Sequence, residues 1–204
     1  MFCNKKKIKP FGYLAILWLL FAQISYAQNE YEPGYVILNT NDTLYGSIKD
    51  RKYGNLFNKI KFKPNYHKKT KRFSAYDLIG YKKGINRYES LWYQEESNFF
   101  RQEYSNLEGY GKKVFLKVLI KGKLSCYAKE YIQDGNGYFD YFELFIRDGE
   151  NKFELATQGI FGLKKKRLKE YFKNCPNLVQ KINNNGIKNP LDVVRFYNQF
   201  CGEE

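Results

Sequence analysis

Histidine and methionine are nearly missing from this chain. Among 204 residues there is one of each, and the histidine is His67. A single imidazole excludes a multi-histidine metal centre, and no Ser or Cys stands at a spacing that would make His67 a general base. The four cysteines, Cys3, Cys126, Cys175 and Cys201, are too scattered to supply a zinc site. No G-x-S-x-G elbow, phosphate-cradling glycine loop or H-E-x-x-H pair occurs. The stretch Asp134-Gly135-Asn136-Gly137-Tyr138-Phe139-Asp140 begins like a calcium loop. It then places Phe139 where glycine is required and Phe145 where a bidentate glutamate belongs. Asp140 and Glu143, three apart in an alternating strand, point to opposite faces and are no glycosidase pair by themselves. No cofactor is expected. Long apolar runs are absent too: Leu14–Ala22 has nine residues, about half of what a spanning helix needs.

What is present begins with an address. Lys5, Lys6, Lys7 and Lys9 precede the apolar run, and Ser25-Tyr26-Ala27 follows it with small residues three and one before Gln28. That order predicts a signal peptide over residues 1–27, cleaved between Ala27 and Gln28. Cys3 lies before the apolar run, which argues against a lipid-anchored cysteine. The mature protein is expected to be exported, whether periplasmic, outer-membrane-associated or extracellular, with no transmembrane segment after cleavage. About 177 residues remain, enough for one domain with a proper core.

Aromatics make up 19% of the chain, with 19 Tyr and 17 Phe, a composition that favours sheets. The clearest local signal is Gly34–Asp50: strands Gly34–Asn39 and Thr43–Asp50 around the turn Thr40-Asn41-Asp42, whose Asn and Asp tolerate left-handed backbone. Gly46 suits a bulge or a close backbone approach. Ser74-Ala75-Tyr76-Asp77 predicts a capped helical turn. Further strands are expected near Arg72–Phe73 and over Ile79–Lys82, Ile85–Tyr93, Val114–Ile120, Leu124–Ile132, Tyr138–Arg147 and Lys152–Thr157, with residues 94–112 a long polar loop. After Gly162 the period changes, and Leu163–Phe172, Pro176–Asn184 and Pro190–Phe200 read as helices. The expected fold is α+β: a curved antiparallel sheet or partly open β-barrel over residues 28–160, then a three-helix cap over 161–204 packed on it.

Charge is the other conspicuous feature. The formal net charge of +14 falls to +10 when the four leader lysines are removed. Between Asp50 and Asp77 there are nine basic residues and no acid. Lys59, Lys61 and Lys63 alternate with Ile60 and Phe62, so a strand sets three ammonium groups on one face. With Lys68, Lys69 and Lys71 they form a candidate anion-binding stripe. Two plainer readings compete: lysines that guard a sheet edge, and an AT-rich codon bias that enriches Lys, Asn, Ile, Tyr and Phe together. Export excludes nucleic acid as a partner and leaves an anionic envelope polymer or an envelope protein. An oxidising compartment also allows a disulfide. If the last two helices form an antiparallel hairpin, Cys175 and Cys201 meet, while Cys126 is a small buried residue in a strand.

The segments GYVILNTNDTLYGSIKDRKYG, KIKFKP, RFSAYDLIGYKKG and KNCPNLVQKI, together with NPLDVVRFYN, carry a resemblance. With its D-T-x-x-G-x-I hairpin and its N-C-P and F-Y-N helical tail, the chain resembles a family of exported Bacteroidetes-type envelope proteins. The resemblance covers most of the mature chain and implies export to the envelope. It implies no reaction and no functional residues. The leading functional expectation is a non-catalytic envelope binding or accessory module. A glycan- or lipid-directed hydrolase with carboxylates from separate strands is the alternative, and a structural accessory of an outer-membrane assembly a third.

Overall fold

The computed structural model describes residues 31–50, 59–66, 69–98, 101–132, 139–157 and 162–201. The predicted signal peptide with its expected cleavage site, His67, Lys68 and most of the Asp134–Asp140 stretch lie outside the described residues. Glu32–Glu204 forms one compact unit.

Among the described residues, eleven strands and three helices build it. In chain order the strands are β1 (Glu32–Leu38), β2 (Thr43–Asp50), β3 (Lys59–Pro64), β4 (Lys71–Ser74), β5 (Leu78–Lys83), β6 (Asn86–Asn98), β7 (Arg101–Ser105), β8 (Lys112–Ile120), β9 (Leu124–Ile132), β10 (Phe139–Arg147) and β11 (Lys152–Leu155). The helices are α1 (Lys165–Tyr171), α2 (Pro176–Asn183) and α3 (Pro190–Phe200). Every strand pairing is antiparallel.

The strand order is β4-β3-β2-β1-β5-β6-β7-β11-β10-β9-β8, and β8 also pairs with β6. That last pairing closes β6, β7, β11, β10, β9 and β8 into a six-stranded barrel rather than a partly open one. Its interior follows from alternation: Val114 and Leu116 on β8, Tyr127 on β9, Leu144 and Ile146 on β10 and Phe153 and Leu155 on β11 are all buried in one cluster.

The other five strands extend from β6 and curl back on themselves. β4 and β5 stand at opposite ends of the run β4-β3-β2-β1-β5, yet only the turn Ala75-Tyr76-Asp77 separates them in sequence. A tight turn cannot span a flat five-stranded sheet, so the sheet must bend until its ends approach. Gly46 permits part of that bend by close approach: a Cβ there would sit 2.2 Å from the Lys63 carbonyl oxygen. Val36, Ile48, Ile60, Phe62, Leu78, Tyr81 and Tyr88 fill the inside of the curl, joined by Phe115 from the outside of the barrel. Tyr81 stacks on Tyr88 with centroids 4.5 Å apart. The predicted helical turn at Ser74–Asp77 is a plain turn, in which the Asp77 carboxylate accepts from both the amide and the hydroxyl of Ser74.

Two expectations need correction. Residues 94–112 are not a loop: β6 runs on to Asn98 and forms a hairpin with β7, pairing Glu95 with Tyr104 and Gln94 with Ser105. The polar sequence reflects strand ends that reach past the hydrophobic interior, where outward and rim positions are both wet. The first helix starts at Lys165 rather than Leu163, because Leu163 bridges to Thr157.

The helices cover the outside of β8, β9 and β10. Leu168, Phe172, Leu178, Ile182, Val193 and Val194 pack with Leu124, Cys126 and Phe145 in one buried cluster. α3 starts at Pro190 behind the N-cap Asn189, whose side-chain oxygen accepts from the Leu191 amide at 2.8 Å. No helix among the described residues is long and apolar enough to cross a membrane.

Candidate functional site

The outer wall of the curl is built by register. In antiparallel pairs, directly opposed residues share a face. Lys61 stands opposite Arg72 on β4 and opposite Lys49 on β2, which gives the row Arg72–Lys61–Lys49. A second row runs Tyr45–Tyr35–Lys82–Arg87 across β2, β1, β5 and β6. Along β3, Lys59 and Lys63 flank Lys61 on the same side, while Ile60 and Phe62 are buried on the other. Seven cations among the described residues therefore share this wall: Lys49, Lys59, Lys61, Lys63, Arg72, Lys82 and Arg87. Rows on adjacent strands stand about 4.8 Å apart, and alternate residues along a strand about 7 Å apart, at the backbone. Tyr45 is 64% exposed among them, its ring edge-on to Tyr35 with centroids 5.8 Å apart.

Opposite charge is scarce there. Among the described residues, the carboxylate that the register sets in these rows is Glu89, opposite Gly80. Glu89 is already engaged: Lys121 Nζ lies 2.8 Å away, the Tyr127 hydroxyl donates to it at 2.6 Å, and Arg87 is 3.7 Å off. No carboxylate among the described residues lies within ion-pair distance of Lys49, Lys59, Lys61, Lys63, Arg72 or Lys82. Among the described residues the wall is thus rich in cations and poor in carboxylates, with Arg87 near Glu89, Asp77 within the field of Lys59, and an aromatic pair set among them.

No family model, curated protein or solved structure matches this chain.

The structure divides the predicted lysine stripe. Lys59, Lys61 and Lys63 stand together on the wall. Lys71 is opposed to Phe62, so the register sets it on the other side of the sheet, at the exposed edge. Lys69 is exposed ahead of β4. Sequence reasoning missed Lys49, Arg72 as a row partner, Lys82 and Arg87. Each is separated from β3 by a turn or by intervening strands, and only the pairing order joins them. β3 is also no edge strand, since β4 covers it. Its lysines project from the sheet face, so edge protection falls to Lys71 and Arg72 on β4.

A second concavity lies in the barrel wall. β11 holds its neighbours by short ladders: Leu144–Leu155 and Phe145–Glu154 to β10, Ser105–Lys152 and Tyr104–Phe153 to β7. Past Glu143, whose carbonyl accepts from the Ala156 amide at 3.0 Å, the β10 edge has no strand beside it among the described residues. A cleft of about 820 Å³ opens at this seam. Its floor is a series of rings, with Phe142 lying 5.8 Å from Tyr104 and 5.9 Å from Tyr131. Glu95, Asp140 and Glu143 border it, with Lys164. Asp140 and Glu143 do alternate across β10, yet both border the cleft because it runs along the strand's free edge. Asp140 accepts from the Tyr131 hydroxyl at 3.0 Å, and Glu143 from the Thr157 hydroxyl at 3.0 Å. Behind the floor, the Lys129 amine lies 4.8 Å from the Tyr93 ring centre and 5.6 Å from that of Phe142. Burial holds the Lys129 pKa below the usual lysine value and pushes the Tyr104 phenol up to about 12.

Among the described residues, two cysteines are paired and the third is buried. A disulfide joins Cys175, just before α2, to Cys201, just after α3, with Cα atoms 5.7 Å apart. Cys126 is free and buried, and burial raises its thiol well above the ordinary value, so it is a poor nucleophile. No three His, Cys, Asp or Glu side chains among the described residues converge as metal ligands.

Proposed function

We propose that this protein is an exported envelope component that binds an anionic polymer on the outer wall of the curl, as a binding module without a reaction of its own. The observation that carries this reading is the segregation of charge. Codon bias enriches lysine wherever solvent is met, but it does not separate the signs. Here seven cations occupy one wall, while Glu95, Asp140 and Glu143 gather at a cleft elsewhere. Closely spaced cations repel one another, so such a wall costs stability unless a polyanion relieves it.

Export is supported by the leader, with its lysines, its nine-residue apolar run and Ser25-Tyr26-Ala27, and by a disulfide of the kind that persists in oxidising compartments. The polymer we propose is an acidic polysaccharide, whose carboxylates meet the ammonium groups while a sugar ring packs on the exposed Tyr45. The mature chain should bind polygalacturonate, and a variant with Lys49, Lys61 and Lys63 changed to Gln should bind it at least about tenfold more weakly while melting at the same temperature or higher. Equal binding by the two proteins would remove the reading. Preference for single-stranded DNA over polygalacturonate would reassign the partner.

A further inference from the structure

We infer that the cleft at the β10–β11 seam is a separate binding site for an uncharged saccharide. Three features of the cleft converge on that chemistry. Its size, about 820 Å³, is that of a site for a small ligand rather than a packing defect. Its floor presents aromatic rings, Tyr104, Phe142 and Tyr131, with Tyr141 at the margin and 52% exposed. The negative face of an aromatic ring attracts the positively polarised C–H groups of a pyranose, and such a platform does not need charge on the ligand. Its rim supplies acceptors for hydroxyl donors. Each carboxylate oxygen can take two hydrogen bonds. Glu143 uses Oε2 for Thr157, and Asp140 uses Oδ2 for Tyr131 and Oδ1 for the Tyr141 amide, so lone pairs remain on both.

Charge decides the class of sugar. Glu95, Asp140 and Glu143 face a single lining amine, that of Lys164, so the cleft repels the acidic polymers that suit the lysine wall. The deeper Lys129 amine sits against rings and offsets part of this field without reaching the lining. A neutral ring with several hydroxyls meets both the platform and the acceptors. The site shares no residue with the wall, so it stands or falls independently of polyanion binding.

The test is titration of the mature chain, followed by NMR and calorimetry, with neutral linear trisaccharides of glucose, galactose, mannose and N-acetylglucosamine, and with trigalacturonate. At least one neutral trisaccharide should bind and shift resonances of Tyr141 and Tyr131, with an affinity that changes little between about 0.05 and 0.5 M salt. Tyr141→Ala and Glu143→Gln should each weaken that binding about tenfold or more, and the Lys49, Lys61 and Lys63 variant should leave it unchanged. Tyr141 is exposed enough that its truncation spares the core, and unchanged melting temperatures would verify this. Trigalacturonate binding as tightly at the cleft would overturn the inference. So would variants that bind like the wild type, or the absence of binding across the neutral panel.

Discussion

Tyr127 ties β9 to β6 through one hydroxyl. Its ring is buried beside Phe153, and its oxygen receives a hydrogen bond from Lys121 at 2.7 Å while donating to Glu89 at 2.6 Å. Burial, followed by the hydrogen bond to Glu89, pushes the phenol up to about 12. The sign is that of a group whose folded pKa is raised. Its contribution to stability is complete below the unfolded value of about 10 and is lost as pH rises from there through about 12. Absorbance titration of tyrosinate should therefore show a late class of phenols that includes Tyr127 and Tyr104. Tyr127→Phe should remove one phenol from that class. If all tyrosines titrate together while circular dichroism still reports a folded chain, the buried network is wrong.

Among the elements, α3 is held by a side chain that behaves like a strand. Asn198 accepts from the Leu124 amide at 2.8 Å and donates to the Leu124 carbonyl at 2.9 Å, so its amide satisfies both backbone groups of a fully buried residue at the start of β9. Asn198→Ala should cost about 1–3 kcal/mol in denaturant unfolding, because both Leu124 groups lose their partner. Asn198→Asp should recover little, since it cannot donate to the carbonyl. The same helix is stapled by Cys175–Cys201, which closes a separation of 26 residues. Loop entropy predicts that reduction, or replacement of both cysteines by Ser, lowers stability by about 3 kcal/mol. A much smaller loss would mean that the unfolded chain is already compact.

Legibility followed locality at this scale. The β1–β2 hairpin could be read because Asn41, at φ 68°, sits in a turn its neighbours announce. The helices α2 and α3 could be read from Pro176, Pro190 and a helical apolar period. The β6–β7 hairpin could not, since Glu95, Glu96, Gln102 and Glu103 give no alternation at strand ends that leave the core. The candidate sites were the least legible part. Lys59, Lys61 and Lys63 share a face by alternation alone. Lys49 joins them through the β2–β3 register, Lys82 and Arg87 only through a strand order in which β5 pairs with β1 and β6, and the cleft exists because β11 is too short to flank all of β10.

For the whole molecule, the cationic wall of the curl and the acid-bordered cleft stand on one compact unit. The outer wall of the curl gathers positive charge beyond what folding needs. Its repulsion should weaken as salt screens it, so the ligand-free protein should melt higher at about 0.5 M than at about 0.05 M salt. Replacing Lys61 by Gln should raise stability slightly, since it removes the centre of the Arg72–Lys61–Lys49 row. Stability gained where binding is lost is the pattern of a functional site rather than of a structural one.

The most direct measurement is the salt dependence of polygalacturonate binding by the wild type and by the variant with Lys49, Lys61 and Lys63 changed to Gln. Polyanion binding that releases counterions gives a linear fall of log K with log salt, whose slope counts the charges engaged. The account predicts a steep slope for the wild type and one shallower by about two for the variant, with affinities converging at high salt. Equal slopes, or binding indifferent to salt in both proteins, would contradict it.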